Sequence, residues 1–371
     1  MDSDGLRFFP FQHREPDRVV PVCGGPVPGP VFRSRKEAPG GSPRGAGERR
    51  PRPHPGRHQE IAIPNQGPIP EFHPTPEYFT RNLRPRGGGS ARVVVSSLAL
   101  RLEGLTSEDE ALIRARYGVF IQDGPSPPGE PRVEVVSAEV PAFLVPRGVR
   151  EGTPEYYRLE QFWEGERLFA YSYDFAGWYD RVSGEGQLAL TSSHAEALCR
   201  AVENFLRSVM AHRFLEQGAF LLHGAAVVRG GRAHVFYGPS GSGKTTVTLL
   251  SEGGLVLGDD LVLIREGESG CEACPVPFRG HHRKPPESDR GFPLAGFYRL
   301  VQDRSDSLEP LSPARGVADL MGSLPFVMEG GRSGRALDVV GRVVSRVPVY
   351  RLRFRKSPDF WKLVSEEPWE K

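Results

Sequence analysis

The sequence is short of the features that mark secreted or membrane-inserted proteins. Four cysteines in 371 residues (Cys23, Cys199, Cys271 and Cys274) are too few for a disulfide framework in a chain of this size. No apolar run approaches the ~18 residues that a membrane-spanning helix needs. The N-terminus has no basic stretch followed by an apolar core and a small-residue cleavage site, so it does not read as a secretory signal. A net charge of only +2 gives no general attraction for nucleic acid or for an anionic membrane. These exclusions lead to the expectation of a soluble, cytoplasmic protein whose partner is neither membrane nor nucleic acid.

The small net charge is unevenly distributed. Residues 1–92 hold 15 Lys and Arg against 9 Asp and Glu, whereas the remainder holds 33 against 37. The same 92 residues carry 17 of the 36 prolines and 13 of the 44 glycines, with no apolar periodicity. Such a composition cannot bury enough surface to offset chain entropy. Residues 1–92 are therefore expected to be a disordered Pro/Gly/Arg-rich tail, or upstream sequence ahead of a true start near Val93.

Regular patterning follows. "RVVVSSLALRLEG" reads as a strand and "TSEDEALIRARYG" as a short helix, with Thr106 or Ser107 as its N-cap. "PRVEVVSAEV" and "GERLFAYSYDFAGWYDR" alternate with a short period. The dense aromatics here, among them Phe162, Trp163, Phe169, Tyr171 and Trp178, suit either a half-buried sheet face or a binding surface. Residues 93–193 thus read as a β-rich accessory region. A long helix then starts near Ser193 and Glu196, which have capping-box spacing. Leu198, Val202, Phe205, Leu206 and Val209 recur along it at helical intervals, and Gly218 ends it.

The most specific motif is Gly238-Pro239-Ser240-Gly241-Ser242-Gly243-Lys244-Thr245, which fits G-x-x-x-x-G-K-[ST] at every specified position. Its glycines let backbone N–H groups turn inward around phosphate oxygens, and the next helix adds its positive dipole end. Lys244 would reach the β- and γ-phosphates of ATP, and the Thr245 hydroxyl would ligate Mg²⁺. The apolar run "AHVFY" leads in as a strand and "KTTVTLLSE" leads out as a helix, the context that such a loop requires.

Two neighbours add chemistry. "AFLLHGAAVV" and "RAHVFY" flank Arg229-Gly230-Gly231-Arg232, a hairpin turn with a Gly-Gly centre. Pairing outward from Arg229 opposite Arg232 sets His223 opposite Gly238, at the mouth of the loop. Downstream, "LVLGDDLVLI" is an apolar strand interrupted by Asp259 and Asp260. Carboxylates inside so apolar a strand are costly unless a cation or hydrogen-bond donors meet them, the alternative being a solvated turn between two strands. Side chains alternate across a strand, so at most one of the two aims straight at the phosphates unless Gly258 bends the chain.

"LLHGAAVVRGGRAHVFYGPSGSGKTT" with "LVLGDDLVLI" resembles the catalytic core of HPr kinase/phosphorylase and its relatives, strongly over 219–264 and loosely over 194–365. The resemblance implies an α/β fold for 194–371, a P-loop kinase core of the HPr kinase/PEP carboxykinase type. It implies an ATP- and Mg²⁺-dependent transfer of the γ-phosphate to a hydroxyl, often a serine of a protein or peptide. By position, Gly238 to Thr245 map onto the phosphate loop with Thr246 following, His223 onto the active-site histidine, and Asp259 and Asp260 onto the acidic pair. Asp259 is assigned as the general base and Asp260 as the residue nearer the metal, with the reverse left open. The chain has Thr245-Thr246 where HPr kinases proper carry Ser-Glu, and residues 93–193 do not look like their N-terminal domain. HPr is therefore not the expected acceptor. A precursor peptide, another protein or a small molecule takes its place, and a non-catalytic ATP-binding regulator is the alternative. Homo-oligomerisation stays open.

Further along, "CEACPVPFRGHHRK" brings together Cys271, Cys274, His281 and His282. Adjacent histidines in one short loop do not both reach a tetrahedral zinc site easily, so the segment reads instead as a loop near the acceptor, where Arg279, Arg283 or Lys284 would neutralise phosphoryl charge, or equally as an ordinary solvated basic loop. "PLSPARGVADLM" reads as a helix capped by Ser312, and "VPVYRLRFRK" as a half-buried strand.

Overall fold

The computed structural model describes residues 83–125, 127–140, 143, 159–191, 195–267, 270–278, 286–326 and 333–365. The expected tail lies outside them except for its last ten residues, and these belong to the fold. Leu83 is buried, Pro85 bridges to Val136, and Arg86 makes a two-point ion pair with the buried Asp109. The fold thus takes in chain upstream of the boundary expected at residue 92.

The architecture is mixed α/β, with many strands and few helices. Strand β1 (Gly89–Val95) pairs antiparallel with β2 (Leu98–Leu105), so the single strand expected here is a hairpin. Ser96 takes φ 57° to make the turn. Thr106, one of the two expected N-caps, then caps α1 (Ser107–Tyr117), and does so through a capping box with Asp109. Strands β3 (Arg132–Ser137), β4 (Glu160–Glu164), β5 (Arg167–Tyr171), β6 (Phe175–Asp180) and β7 (Glu185–Leu190) complete a seven-stranded sheet, in the order β1-β2-β3-β7-β6-β5-β4. Phe169, Tyr171 and Phe175 are buried in it, and Phe162 stacks on Phe169 at 4.9 Å. These aromatics form the half-buried sheet face.

Helix α2 (Ala195–Glu216) follows; Ser193, expected to cap it, lies outside the described residues. Its apolar stripe, Leu198, Val202, Phe205, Leu206 and Val209, is wholly buried. These residues share one core with strands of the first sheet and with Leu221, Leu261 and Leu263 of the next. The accessory region and the downstream region are therefore packed together through α2.

The second sheet comprises β8 (Phe220–Arg229), β9 (Arg232–Tyr237), β10 (Leu255–Gly258), β11 (Leu261–Gly267), β12 (Gly270–Cys274), β13 (Phe292–Gln302), β14 (Ser307–Pro310) and β15 (Val349–Phe354). Its pairings close into a circuit: β8 with β11, β11 with β12, β12 with β13, β13 with β9, and β9 back to β8. Strands β9, β13 and β15 run parallel. Helix α3 (Lys244–Leu249) and helix α6 (Phe360–Ser365) cover one face, through Val247, Phe360 and Trp361. Helix α4 (Pro313–Met321), capped by Ser312, and α5 (Ser333–Val344) cover the other, through Leu320, Ala336 and Val340. Among the described residues no helix is long and apolar enough to cross a membrane.

Phe205 sits at the centre of the shared core, fully buried. Phe205→Ala is expected to destabilise the protein by ~3–5 kcal/mol, as aromatic truncation in a packed core does. Val182→Ala, in an exposed turn, should change stability by less than ~0.5 kcal/mol. Denaturant melts of the two variants check the pair.

Candidate functional site

Residues 238–243 form the expected loop between β9 and α3. Gly243 requires its lack of a side chain twice over: its φ is 110°, and a Cβ would lie 2.6 Å from the Phe354 ring. The loop is braced from outside by Gln302, whose Nε2 donates to the Gly241 carbonyl at 2.7 Å. Lys244 folds back over it, with Nζ donating to Gly238 O at 2.8 Å and Pro239 O at 3.2 Å. Burial lowers the pKa of this ammonium, and the nearby Asp260 carboxylate opposes that shift. Thr245 and Thr246 lie half-buried in the first turn of α3.

Strand β8 places the other groups. Its pairing with β9 runs from Arg229 opposite Arg232 to Gly224 opposite Tyr237, the register read from the turn. That register brings His223 level with Gly238. On the other side of β8, Gly258 pairs with Ala226 and Leu261 with His223. The expected single strand is thus two short strands, β10 and β11; the register along β8 shifts between Val256 and Gly258, and β11 continues the register that Gly258 takes up. Asp259 and Asp260 sit at the break between them, and the Asp260 carbonyl accepts from Gly224 N at 3.0 Å. Gly258, the last residue of β10, leaves no room for a side chain, since a Cβ would lie 2.6 Å from the Leu261 carbonyl. Both aspartates are buried, so this is not a solvated turn.

Asp260 is the electrostatic centre. Its Oδ1 lies 3.4 Å from His223 Nε2, and its Oδ2 lies 3.6 Å from Arg207 Nη2. Oδ2 is buried and makes no hydrogen bond. Burial pushes the carboxyl up to about 7; Arg207 and Lys244 pull against that shift, while Asp259 and Glu203 add to it. Burial, with Lys244 and Arg207 nearby, pushes the His223 imidazole down to about 4. His223 therefore stands neutral at pH 7, with its side chain 41% exposed. Its backbone N–H donates to Ser323 O at 2.8 Å, which brings the end of α4 alongside the site.

Glu203 and Arg207 were not singled out from the sequence. They sit one turn apart on α2 and are ion-paired, and both are buried. The signal was a Glu and an Arg at i,i+4 spacing inside an apolar helix, where charges persist only with partners.

A divalent cation suits the residues present. An open buried acceptor, Asp260 Oδ2, lies close enough to Lys244 to influence its ammonium, and a cation there would favour the ionised carboxylate. Among the described residues no three His, Cys, Asp or Glu gather into a metal site. The zinc alternative loses its cysteines: Cys271 faces one core and Cys274 the other. His281, His282, Arg279, Arg283 and Lys284 lie outside the described residues.

Over this half of the molecule the chain is similar to a known family. Residues 190–367, a little under half of the chain, match the family model described as SynChlorMet cassette protein ScmC. The match starts at the end of β7 and takes in α2, the loop, the aspartate pair and α6. No curated protein matches the chain.

Three outcomes follow from this geometry. In NMR titration of the free protein, the His223 Cε1 proton should stay at its neutral position until pH falls below ~5.5. A histidine with a depressed folded value contributes stability that is complete above pH ~6.5 and is lost as pH falls through about 4. The stability gap between wild type and His223→Gln should narrow over that window. Gly243→Ala should also lower the melting temperature, since the added methyl meets both a left-handed φ and the Phe354 ring.

Proposed function

We propose that the chain is an ATP- and Mg²⁺-dependent kinase that transfers the γ-phosphate to a hydroxyl, a serine of a peptide or protein, from a P-loop kinase core over residues 194–371. The observation that carries the reading is the meeting of three elements on β8: the Gly238–Gly243 loop on one side, the Asp259–Asp260 pair on the other, and His223 between them. A loop alone would bind phosphate. A buried carboxylate pair beside it adds a proton acceptor, which a nucleotide sensor has no use for.

The chemistry assigns a task to each residue. The loop's backbone N–H groups hold the phosphates, and Lys244 leaves the Gly238 and Pro239 carbonyls to meet the β- and γ-phosphate oxygens. The acceptor oxygen attacks the γ-phosphorus while the bond to the β–γ bridging oxygen breaks, releasing ADP. The hydroxyl proton passes to Asp259. Asp260 and the Thr245 hydroxyl would hold Mg²⁺, which neutralises charge on the phosphate oxygens when bound. Neutral His223 lies against Asp260 Oδ1 and limits its rotation. A matched family named as a cassette protein favours an acceptor encoded beside this chain.

Incubating the protein with γ-labelled ATP and lysate of its own host tests the reading. Label on a discrete peptide or protein band supports it, label on small metabolites alone redirects it to a small-molecule kinase, and binding without transfer overturns it. Lys244→Ala should abolish transfer. Asp259→Asn should lower turnover by ~10²-fold or more if it takes the proton. Full activity in Asp259→Asn with none in Asp260→Asn would invert the two roles.

A further inference from the structure

The buried charge of α2 does not end at Arg207. From the accessory region, Arg116 near the C-terminal end of α1 donates to Glu203, its Nε lying 3.1 Å from Oε2. The other oxygen of Glu203 accepts from Arg207. Arg207 lies under the Phe278 ring, 5.6 Å from the centroid, and turns Nη2 toward Asp260 Oδ2 at 3.6 Å. The result is a line of alternating charge: Arg116, Glu203, Arg207, Asp260. Its last three members are each at most 6% exposed. It begins on a helix of the first sheet and ends between the aspartate pair and His223.

Such a line is poor value as a source of stability. Taking ions out of water is costly, and well-packed apolar side chains often serve as well. An aliphatic helix face at 203 and 207 would have extended the stripe of Val202, Phe205 and Leu206 without that cost. What the ions supply and a leucine cannot is a directed cation at one oxygen of Asp260, with His223 at the other. Together they fix the plane of the carboxylate. Arg207 is not hydrogen-bonded to Oδ2, so lone pairs on that oxygen stay available.

We infer that Arg207 is a positioning residue, aimed by Glu203 and Arg116, that sets the Asp260 carboxylate for a divalent cation beside the loop. The accessory region thereby forms part of the active site. The inference rests on the kinase reading for its purpose, but its test reads cation binding as well as catalysis. The probe is a fluorescent ATP analogue, titrated into the full chain with and without Mg²⁺, alongside label transfer to host lysate. In wild type, Mg²⁺ should tighten nucleotide binding. Arg207→Met should leave the Mg²⁺-free affinity within ~3-fold of wild type while losing most of the Mg²⁺-dependent gain, and transfer should fall ~10-fold or more. Arg207→Lys should recover part of both. Arg116→Met, at a side chain 30% exposed and two charges removed from Asp260, guards against a misfolded Arg207 variant; it should lose part of the Mg²⁺-dependent gain while its Mg²⁺-free affinity stays unchanged. A wild-type Mg²⁺ gain in both methionine variants overturns the inference, as does loss of Mg²⁺-free binding in proportion to lost folded protein. Loss of the Mg²⁺ gain in these variants, with no transfer by wild type, would instead keep the inference and overturn the kinase reading.

Discussion

The pairing along β8 is the constraint on which the site depends. One strand has β9 on one side and the broken strand β10–β11 on the other. Every residue of interest is a fixed number of rungs from a shared hydrogen bond. Because side chains alternate along a strand, a one-residue slip on either side would turn the relevant groups to the wrong face. The Gly230-Gly231 turn pins one register, and the backbone bond from Gly224 N to Asp260 O pins the other. The loop, the histidine and the carboxylates are thus positioned by backbone geometry before any side chain contributes.

What was legible in the sequence was what short-range chemistry specifies. The Thr106 and Ser312 caps, the loop, and the hairpin register that carries His223 to Gly238 all follow from turn and cap residues within a few positions. The break at Gly258 was less legible. An apolar run gives no sign of where its ladder will fail, and the close approach of Gly258 to the Leu261 carbonyl forms only in three dimensions. The role of α2 was hidden for a related reason. Its stripe predicted burial, but not that the helix would be covered on two sides, so nothing singled out Glu203 and Arg207.

The division into an accessory region and a region that carries the loop is a division of sequence more than of structure. One continuous apolar core joins the two sheets across α2, and one line of ions joins α1 to Asp260. The family match begins at residue 190, close to that seam. The matched segment therefore carries the loop and the aspartates but leaves out α1, which supplies Arg116.

The resting posture of Lys244 has one more consequence. Its ammonium is already engaged by two carbonyls of the loop it belongs to, and a ligand must supply at least as much to draw it away. A lone oxyanion offers little beyond what those carbonyls give. On the proposed reading, a polyphosphate spanning the loop would compensate with several N–H contacts at once, and the self-bonded lysine would set a threshold by how many oxygens a ligand brings.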